Sequence, residues 1–534
     1  MKRKLLTALL CGALMLTSLA GCGQGAENQS GTSAGSESAV KDELVFVNYR
    51  DIRDLNPHLY AGEMYAQSIL YDTLVSNTSE GYVGCLAEDW TISEDGRTYT
   101  FNIRDGVTFS DGTPCDANAI LANFNAILEN RERHTWLEMM NLLVGVSAPD
   151  DDTFVIEMSE PYYPMLTELA CIRPFAMISP NCMIDGSTKD GVNGYIGTGP
   201  YVLTDFVTDE YAVFERNENY WGEKPAIRKI TVKVIPDNQT RIMALENGEI
   251  DLIFGKNMLD ADAISQYVDS DKFTVGLSDP TSTRHIVLNT THDILGDKSV
   301  RQALQYATNR QAISEGIFYG LEPAADTLYS STVPYCDVDL EPYAYDADEA
   351  ARLLDEAGWT MGSDGVRAKD GQKLALDLLY NSDSVTEKTI SEYLQSEYLK
   401  LGISLNIHGE EEQSYRDNMK AGNFDMVFNI CWGMPYDPQS SLAAMRAPVY
   451  GDYAAQQGLE DKAEIDQAIT DILTSTDETK RQELYTFVLT RLHEDAVYIP
   501  LTFETNKALY TSDLKGVHFG TDQYDVDFAS MYFA

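Results

Sequence analysis

The stretch TYTFNIRDGVTFSDGTPCDANAILANFNAILENRER, residues 98–133, reads first with the alternation of a strand and then with the period of a helix. Tyr99, Phe101 and Ile103 alternate with Thr98, Thr100 and Asn102, and Arg104-Asp105-Gly106 and Ser110-Asp111-Gly112 supply turn chemistry. Asp116 is placed to cap a helix whose apolar residues Ile120, Leu121, Phe124, Ile127 and Leu128 share one face. Arg131 and Arg133 close it where cations suit the helix dipole. A strand feeding a helix points to layers of mixed α/β structure.

The same interleaving continues outward from this segment. Residues 230–235 read as a strand and 238–247 as a helix stopped by Gly248; 300–317 and 347–357 are helical in period, while 374–379, 403–407 and 424–430 read as strands. An α/β architecture follows, against an all-helical or all-β one. A chain of 534 residues exceeds what one hydrophobic core supports, so two or more core units are expected. No strict internal repeat is visible.

The N-terminus has its own grammar. Met1, Lys2, Arg3 and Lys4 form a basic start, residues 5–20 are apolar but too short to span a bilayer comfortably, and Leu19-Ala20-Gly21-Cys22 resembles a lipoprotein cleavage box. Residues 1–21 are expected to be a signal peptide, with Cys22 the lipidated first residue of the mature chain. Residues 22–41, rich in Ser, Gly and Glu, lack the apolar side chains that offset ordering entropy and are expected to be a flexible leash. The pattern Gly31-Thr32-Ser33-Ala34-Gly35 matches a hydrolase G-x-S-x-G motif, yet it lacks the strand and helix of a nucleophile elbow.

Charge narrows the partners. The chain carries 39 Lys+Arg against 84 Asp+Glu for a net charge of −45, and loss of Lys2, Arg3 and Lys4 with the signal takes it to −48. Such a surface repels nucleic acid. Cys85, Cys115, Cys171, Cys182, Cys336 and Cys431 form no C-x-x-C pair, so buried thiols are expected over a metal cluster, with disulfide pairing left open. The seven histidines, His58, His134, His285, His292, His408, His493 and His518, form no metal-binding pair, and surface or capping roles are expected for all of them.

Several stretches together resemble the peptide/nickel class of ABC-transporter solute-binding proteins. They are Ala87-Glu88-Asp89-Trp90, Ser93-Glu94-Asp95-Gly96, Arg104-Asp105-Gly106-Val107, Phe109-Ser110-Asp111-Gly112, Gly197-Thr198-Gly199-Pro200-Tyr201, Asn217-Glu218-Asn219-Tyr220-Trp221-Gly222, Gly248-Glu249-Ile250-Asp251 and Ala357-Gly358-Trp359. Within that class, Asn130-Arg131-Glu132-Arg133-His134-Thr135-Trp136, Arg173-Pro174-Phe175 and Trp432-Gly433-Met434-Pro435-Tyr436-Asp437-Pro438 are similar to the nickel-importer branch. The resemblance implies a two-lobed periplasmic-binding-protein-like fold (cluster C, type II) with a hinged cleft: lobe I over 42–280, lobe II over 281–505 and a return to lobe I over 506–534.

It also implies a function. The chain is expected to be a monomeric, extracytoplasmic, lipid-anchored receptor that binds nickel or a related transition metal as an organic chelate and hands it to ABC permease subunits. The alternative is a di- or oligopeptide receptor on the same fold. By resemblance Arg133 and Arg173 grip carboxylates, which suits a permanently charged, forked guanidinium. Trp136, Trp432 and Tyr436 wall the pocket, with Trp136 expected to share Arg133's helical face, and Tyr60, Met64, Tyr415 and Thr521 lining it. Where the nickel-binding branch has a metal-reaching histidine, Tyr450 follows Met445-Arg446-Ala447-Pro448. A neutral phenol ligates nickel poorly beside imidazole, so direct coordination by protein is not expected. No catalytic motif and no resident cofactor is implied.

Overall fold

Two long strands, Phe273–Leu288 and Tyr498–Thr511, lie side by side in the middle of a ten-stranded mixed sheet and pair antiparallel along most of their length. On one flank the order runs through Leu252–Phe254, Glu43–Asn48, Lys229–Val234 and Tyr211–Arg216 to Tyr201–Val207; on the other through Met426–Ile430 and Ala375–Asn381 to Ser404–Glu410. Glu43–Asn48 pairs parallel with both neighbours, and so does Ala375–Asn381. The central pairing slips between Leu277 and Pro280 and again between Pro280 and Ser282. Pro280 has no N–H to give the ladder, which suits it to such an irregularity.

The computed structural model describes residues 41–534 apart from 79, 257, 434, 435 and 449. The signal peptide, Cys22 and all of the 22–41 leash but Lys41 lie outside the described residues. Asp42–Ala534 forms one compact unit. Among the described residues, no helix is long and apolar enough to cross a membrane.

The segment quoted above behaves as its pattern dictates. Thr98–Ile103 is the second strand of an antiparallel sheet ordered Ala87–Ile92, Thr98–Ile103, Thr153–Met158, Leu143–Ser147, with Tyr99, Phe101 and Ile103 turned inward. Asp116 caps helix Ala117–Glu129, its Oδ1 accepting from Ala119 N at 2.9 Å. The helix buries Ile120, Phe124 and Ile127 against that sheet, where the Phe124 and Phe154 rings sit 4.8 Å apart. Burying one such side chain contributes about 1.5–3 kcal/mol, so Phe124→Ala would cost roughly 3–5 kcal/mol once the cavity is included.

The helix ends at Glu129 and tightens into a single 3₁₀ turn, Arg131–His134, so the expected continuous helical face from Arg133 to Trp136 is absent. Arg131 folds back to donate to Met140 O and Leu143 O, spending the helix-terminal cation on a neighbouring turn. The region read as one helical period over 300–317 is two helices, Lys298–Ala307 and Arg310–Ile317, because Asn309 caps the second through Ala312 N.

Motifs that carried the resemblance prove to be packing devices. A Cβ on Gly197 or Gly199 would run into the backbone around Leu70. Thr198 Oγ1 and Trp221 Nε1 both donate to Asp72 Oδ2, at 2.8 and 2.9 Å. All six described cysteines are buried free thiols. The expectation for the histidines needs correction: His58, His134 and His285 are buried inside the protein, because each ring finds a local hydrogen-bond partner there.

Candidate functional site

Where parallel strands end at their carboxyl edges, side chains can converge on a ligand without competing with the ladder. Arg50 follows strand Glu43–Asn48, Lys256 follows Leu252–Phe254, and Cys431 and Trp432 follow Met426–Ile430. All four line one cavity of about 720 Å³. Tyr60, Met64, Trp136, Arg173, Tyr436 and Tyr450, singled out from the sequence, line the same cavity.

Its walls are aromatic. The Trp136 ring lies 6.3 Å from Trp432 and 5.6 Å from Tyr436, and Tyr450 packs edge-on to Trp432 at 5.8 Å. Trp136 is fixed by a relay: its Nε1 donates to Tyr60 Oη at 2.8 Å, and Tyr60 Oη lies 2.7 Å from His134 Nδ1. Burial, with the Arg133 cation adding to it, pushes His134 down to about 4, so the ring is neutral and its Nδ1 is free to accept the phenol proton. Burial pushes Tyr60 up to about 12 and raises Tyr436 well above the usual phenol range. Both phenols stay protonated, which disfavours them as metal ligands.

Among the described residues four cations line the cavity, and three are already paired. Arg50 meets Glu63 at 2.5 Å, Lys256 meets Glu504 at 2.5 Å, and Arg416 meets Glu412. Arg173 differs. Its Nε donates to Gln67 Oε1 at 2.6 Å and one terminal nitrogen donates to Gly62 O, and it makes no ion pair among the described residues. Burial lowers its pKa, yet a guanidinium stays charged, so the site holds a half-buried positive charge anchored by neutral acceptors. Glu63 is the one carboxylate among the described lining residues, and its second oxygen accepts from Asn48 Nδ2 at 3.0 Å.

Three expected lining residues fall outside this cavity. Arg133 is exposed and is not among the lining residues; its guanidinium lies 5.6 Å from the ring of Tyr60, which does line the cavity, and in the 3₁₀ turn it is His134 that is buried. Tyr415 is buried and donates its hydroxyl to Phe428 O, while the next residue of the same helix, Arg416, faces the cavity. Thr521 donates to Asn77 O at 2.8 Å and lines a different cavity. Sequence reasoning missed Arg50, Glu63, Lys256, Arg416 and Tyr524. The signal available for Arg50 and Lys256 was their position just beyond strand ends; Arg416 and Tyr524 carried none.

Among the described residues, no group of three or more His, Cys, Asp or Glu side chains is arranged to hold a metal ion. The arrangement suits an anion-bearing guest held by a cation and flat rings, which is the chemistry of a solute-binding protein whose cleft encloses a small polar molecule.

The comparisons agree with that class. Residues 81–452 match the family described as "Bacterial extracellular solute-binding proteins, family 5 Middle". The chain belongs to this family of transport-binding proteins, which are not enzymes. It is 41% identical over 496 residues to the "Nickel-binding periplasmic protein" of Escherichia coli (strain K12), covering 92% of this chain and 94% of that one. NikA from Brucella suis, solved in complex with Fe(III)-EDTA, superimposes with a TM-score of 0.89 at 43% identity, over 92% of this chain and 100% of that chain. The "Dipeptide-binding protein" of Escherichia coli (strain K12) is more distant, 27% identical over 89% of this chain and 91% of its own. The chain thus has the two-lobed family 5 solute-binding fold expected from its sequence.

Proposed function

We propose that this chain is the lipid-anchored, extracytoplasmic receptor of an ABC importer, that it captures nickel as a chelate of a small carboxylate-bearing molecule, and that it delivers the chelate to permease subunits. The observation that carries the reading is Arg173, a pocket-facing cation that makes no ion pair among the described residues, set among Trp136, Trp432 and Tyr436. One hydrogen bond from a charged donor to a ligand carboxylate contributes about 1.5–3 kcal/mol. The metal itself is left to the chelator, in keeping with Tyr450 at the position where an imidazole would be needed. The likeness to nickel-binding and metal-chelate-bound relatives supports the same reading.

Lobe I is assigned to 42–280, lobe II to 281–505 and the return to 506–534, with the slipped pairing around Pro280 as the point of bending. Closure about such a crossing is the usual motion of binding proteins of this shape. Cys22 is assigned the lipid, and Cys22→Ser should release the protein from membranes.

Peptide capture is the second reading, favoured by the dipeptide-binding relative and by Arg173's capacity to hold a terminal carboxylate. It needs a cavity acid for the ammonium end, and Glu63 is engaged by Arg50 and Asn48. Calorimetry with nickel alone, nickel plus histidine, and a peptide panel tests the two. Saturable heat only with the chelate is expected; peptide binding with no response to any nickel complex would overturn the assignment.

A further inference from the structure

Next to the chelate cavity lies a buried ionic network with more cations than acids. Lys256 Nζ stands 2.5 Å from Glu504 Oε2 and Lys507 Nζ 3.4 Å from Glu322 Oε1, while Arg284 pairs with Glu504 and reaches Glu322 at 3.9 Å. Three cations thus share two carboxylates. Among the described residues no other carboxylate comes within ion-pair distance of the three; Glu387 and Asp437 act on Arg284 and Lys256 from farther off.

Lys256 is the member of this network that faces the guest. Its side chain keeps 19% of its surface exposed, against 11% or less for the other four, and it alone of the five lines the cavity. An ammonium carries three N–H donors. One is taken by Glu504 and another by Ser282 Oγ at 3.1 Å, and the third has no acceptor among the described residues. Glu504 does not depend on Lys256 alone, since Arg284 and the Ser282 hydroxyl also donate to it. Ser282 and Glu504 are paired across the two long central strands, so the ammonium is seated on the middle of the sheet and is held in place before any guest arrives.

The surroundings favour an anion there. The whole chain carries a net charge of −45, which repels anions at its surface. The described cavity lining reverses that sign, with Arg50, Arg173, Lys256 and Arg416 against the single carboxylate of Glu63. We propose that Lys256 is a second anion-gripping residue of the chelate cavity, that its third N–H takes an outward carboxylate oxygen of the chelator, and that with Arg173 it favours chelates of net negative charge over neutral ones. The inference rests on the chelate reading and names the charge class of its guest.

Calorimetric titration of the full chain with nickel–EDTA, a dianion, and with nickel bis-histidine, a neutral complex, tests it, urea unfolding checking that each variant is folded. Lys256→Met should weaken nickel–EDTA roughly tenfold or more, the loss of one charge-assisted bond, and nickel bis-histidine by about threefold or less, because removing a cation costs a dianion more than a neutral guest. Lys256→Arg, which restores the charge, should keep the ratio of the two Kd values within about threefold of the parent. Equal losses for both chelates in a folded Lys256→Met would reduce the lysine to a structural part and overturn the inference. A parent that binds nickel bis-histidine and not nickel–EDTA would overturn it as well. A parent that binds neither chelate would instead refute the chelate reading itself, and this inference with it.

Discussion

Replacing Arg173 by methionine keeps the apolar stem and removes the guanidinium. Its Nε and one terminal nitrogen are committed to Gln67 and Gly62, which leaves the other terminal nitrogen to reach the guest. Loss of one or two charge-assisted bonds at about 1.5–3 kcal/mol each raises Kd by roughly tenfold for one weak bond to about ten-thousandfold for two strong ones, since 1.4 kcal/mol is tenfold. The same change strips the buried Gln67 of a donor, so a stability loss of about 1–3 kcal/mol should accompany it. Calorimetry with nickel plus histidine reads the first quantity and urea unfolding the second. Arg173→Lys should fall between the two, because one ammonium cannot hold Gly62 and Gln67 and still present a fork. A folded methionine variant with Kd within twofold of the parent would refute the role given to this cation.

Three further outcomes follow from buried groups. Burial pushes the Glu168 carboxyl up to about 7 from an ordinary 4.5, with Tyr162 and Met139 N donating to it. Between those values the native state keeps a proton that the unfolded chain has released, so stability falls as pH rises through the window by up to about 1.4 kcal/mol per pH unit; Glu168→Gln should flatten that slope in unfolding curves, and an unchanged slope would exclude the assignment. Glu504 lies against Arg284 and Lys256 beside the central strand crossing, and its carboxyl is held well below the usual range by those cations against the opposing effect of burial. Glu504→Ala leaves the buried Arg284 and the half-buried Lys256 short of a partner and should cost roughly 3–5 kcal/mol in urea unfolding; a loss under 1 kcal/mol would contradict the pairing. Gly433 sits at φ +76, where a Cβ would meet the Gln523 amide that donates to Trp432 O, so Gly433→Ala should cost about 1–2 kcal/mol for the left-handed backbone and weaken the chelate by displacing Trp432, with part of the affinity recovered when Gln523→Ala removes that contact; no recovery would place the damage elsewhere.

Local patterns in the sequence carried the layers of the fold well. Alternation at Tyr99, Phe101 and Ile103 and the cap at Asp116 are physical consequences of nearest neighbours, and they appear at those residues. Helix breaks did not show, because Asn309 and the turn at Arg131–His134 depend on which backbone N–H finds a side chain. That turn leaves Arg133, assigned to the pocket by resemblance, exposed beside Tyr60 and off any continued helix with Trp136. The resemblance carried Arg173, Trp136, Trp432 and Tyr436 into one cavity from segments far apart in the chain, something no periodicity reveals. Arg416 was overshadowed by Tyr415, since adjacent helical positions point about 100° apart and only the three-dimensional packing decides which faces the guest.

Anomalous scattering at the nickel absorption edge, from crystals grown with nickel and histidine, tests the central claim most directly. One peak is predicted in the cavity bounded by Trp136, Trp432 and Tyr436, with the metal ligated by its chelator and the Arg173 guanidinium on a chelator carboxylate. A cavity without metal, or nickel ligated by protein side chains such as His292 and Asp425 in place of the chelator, would contradict it.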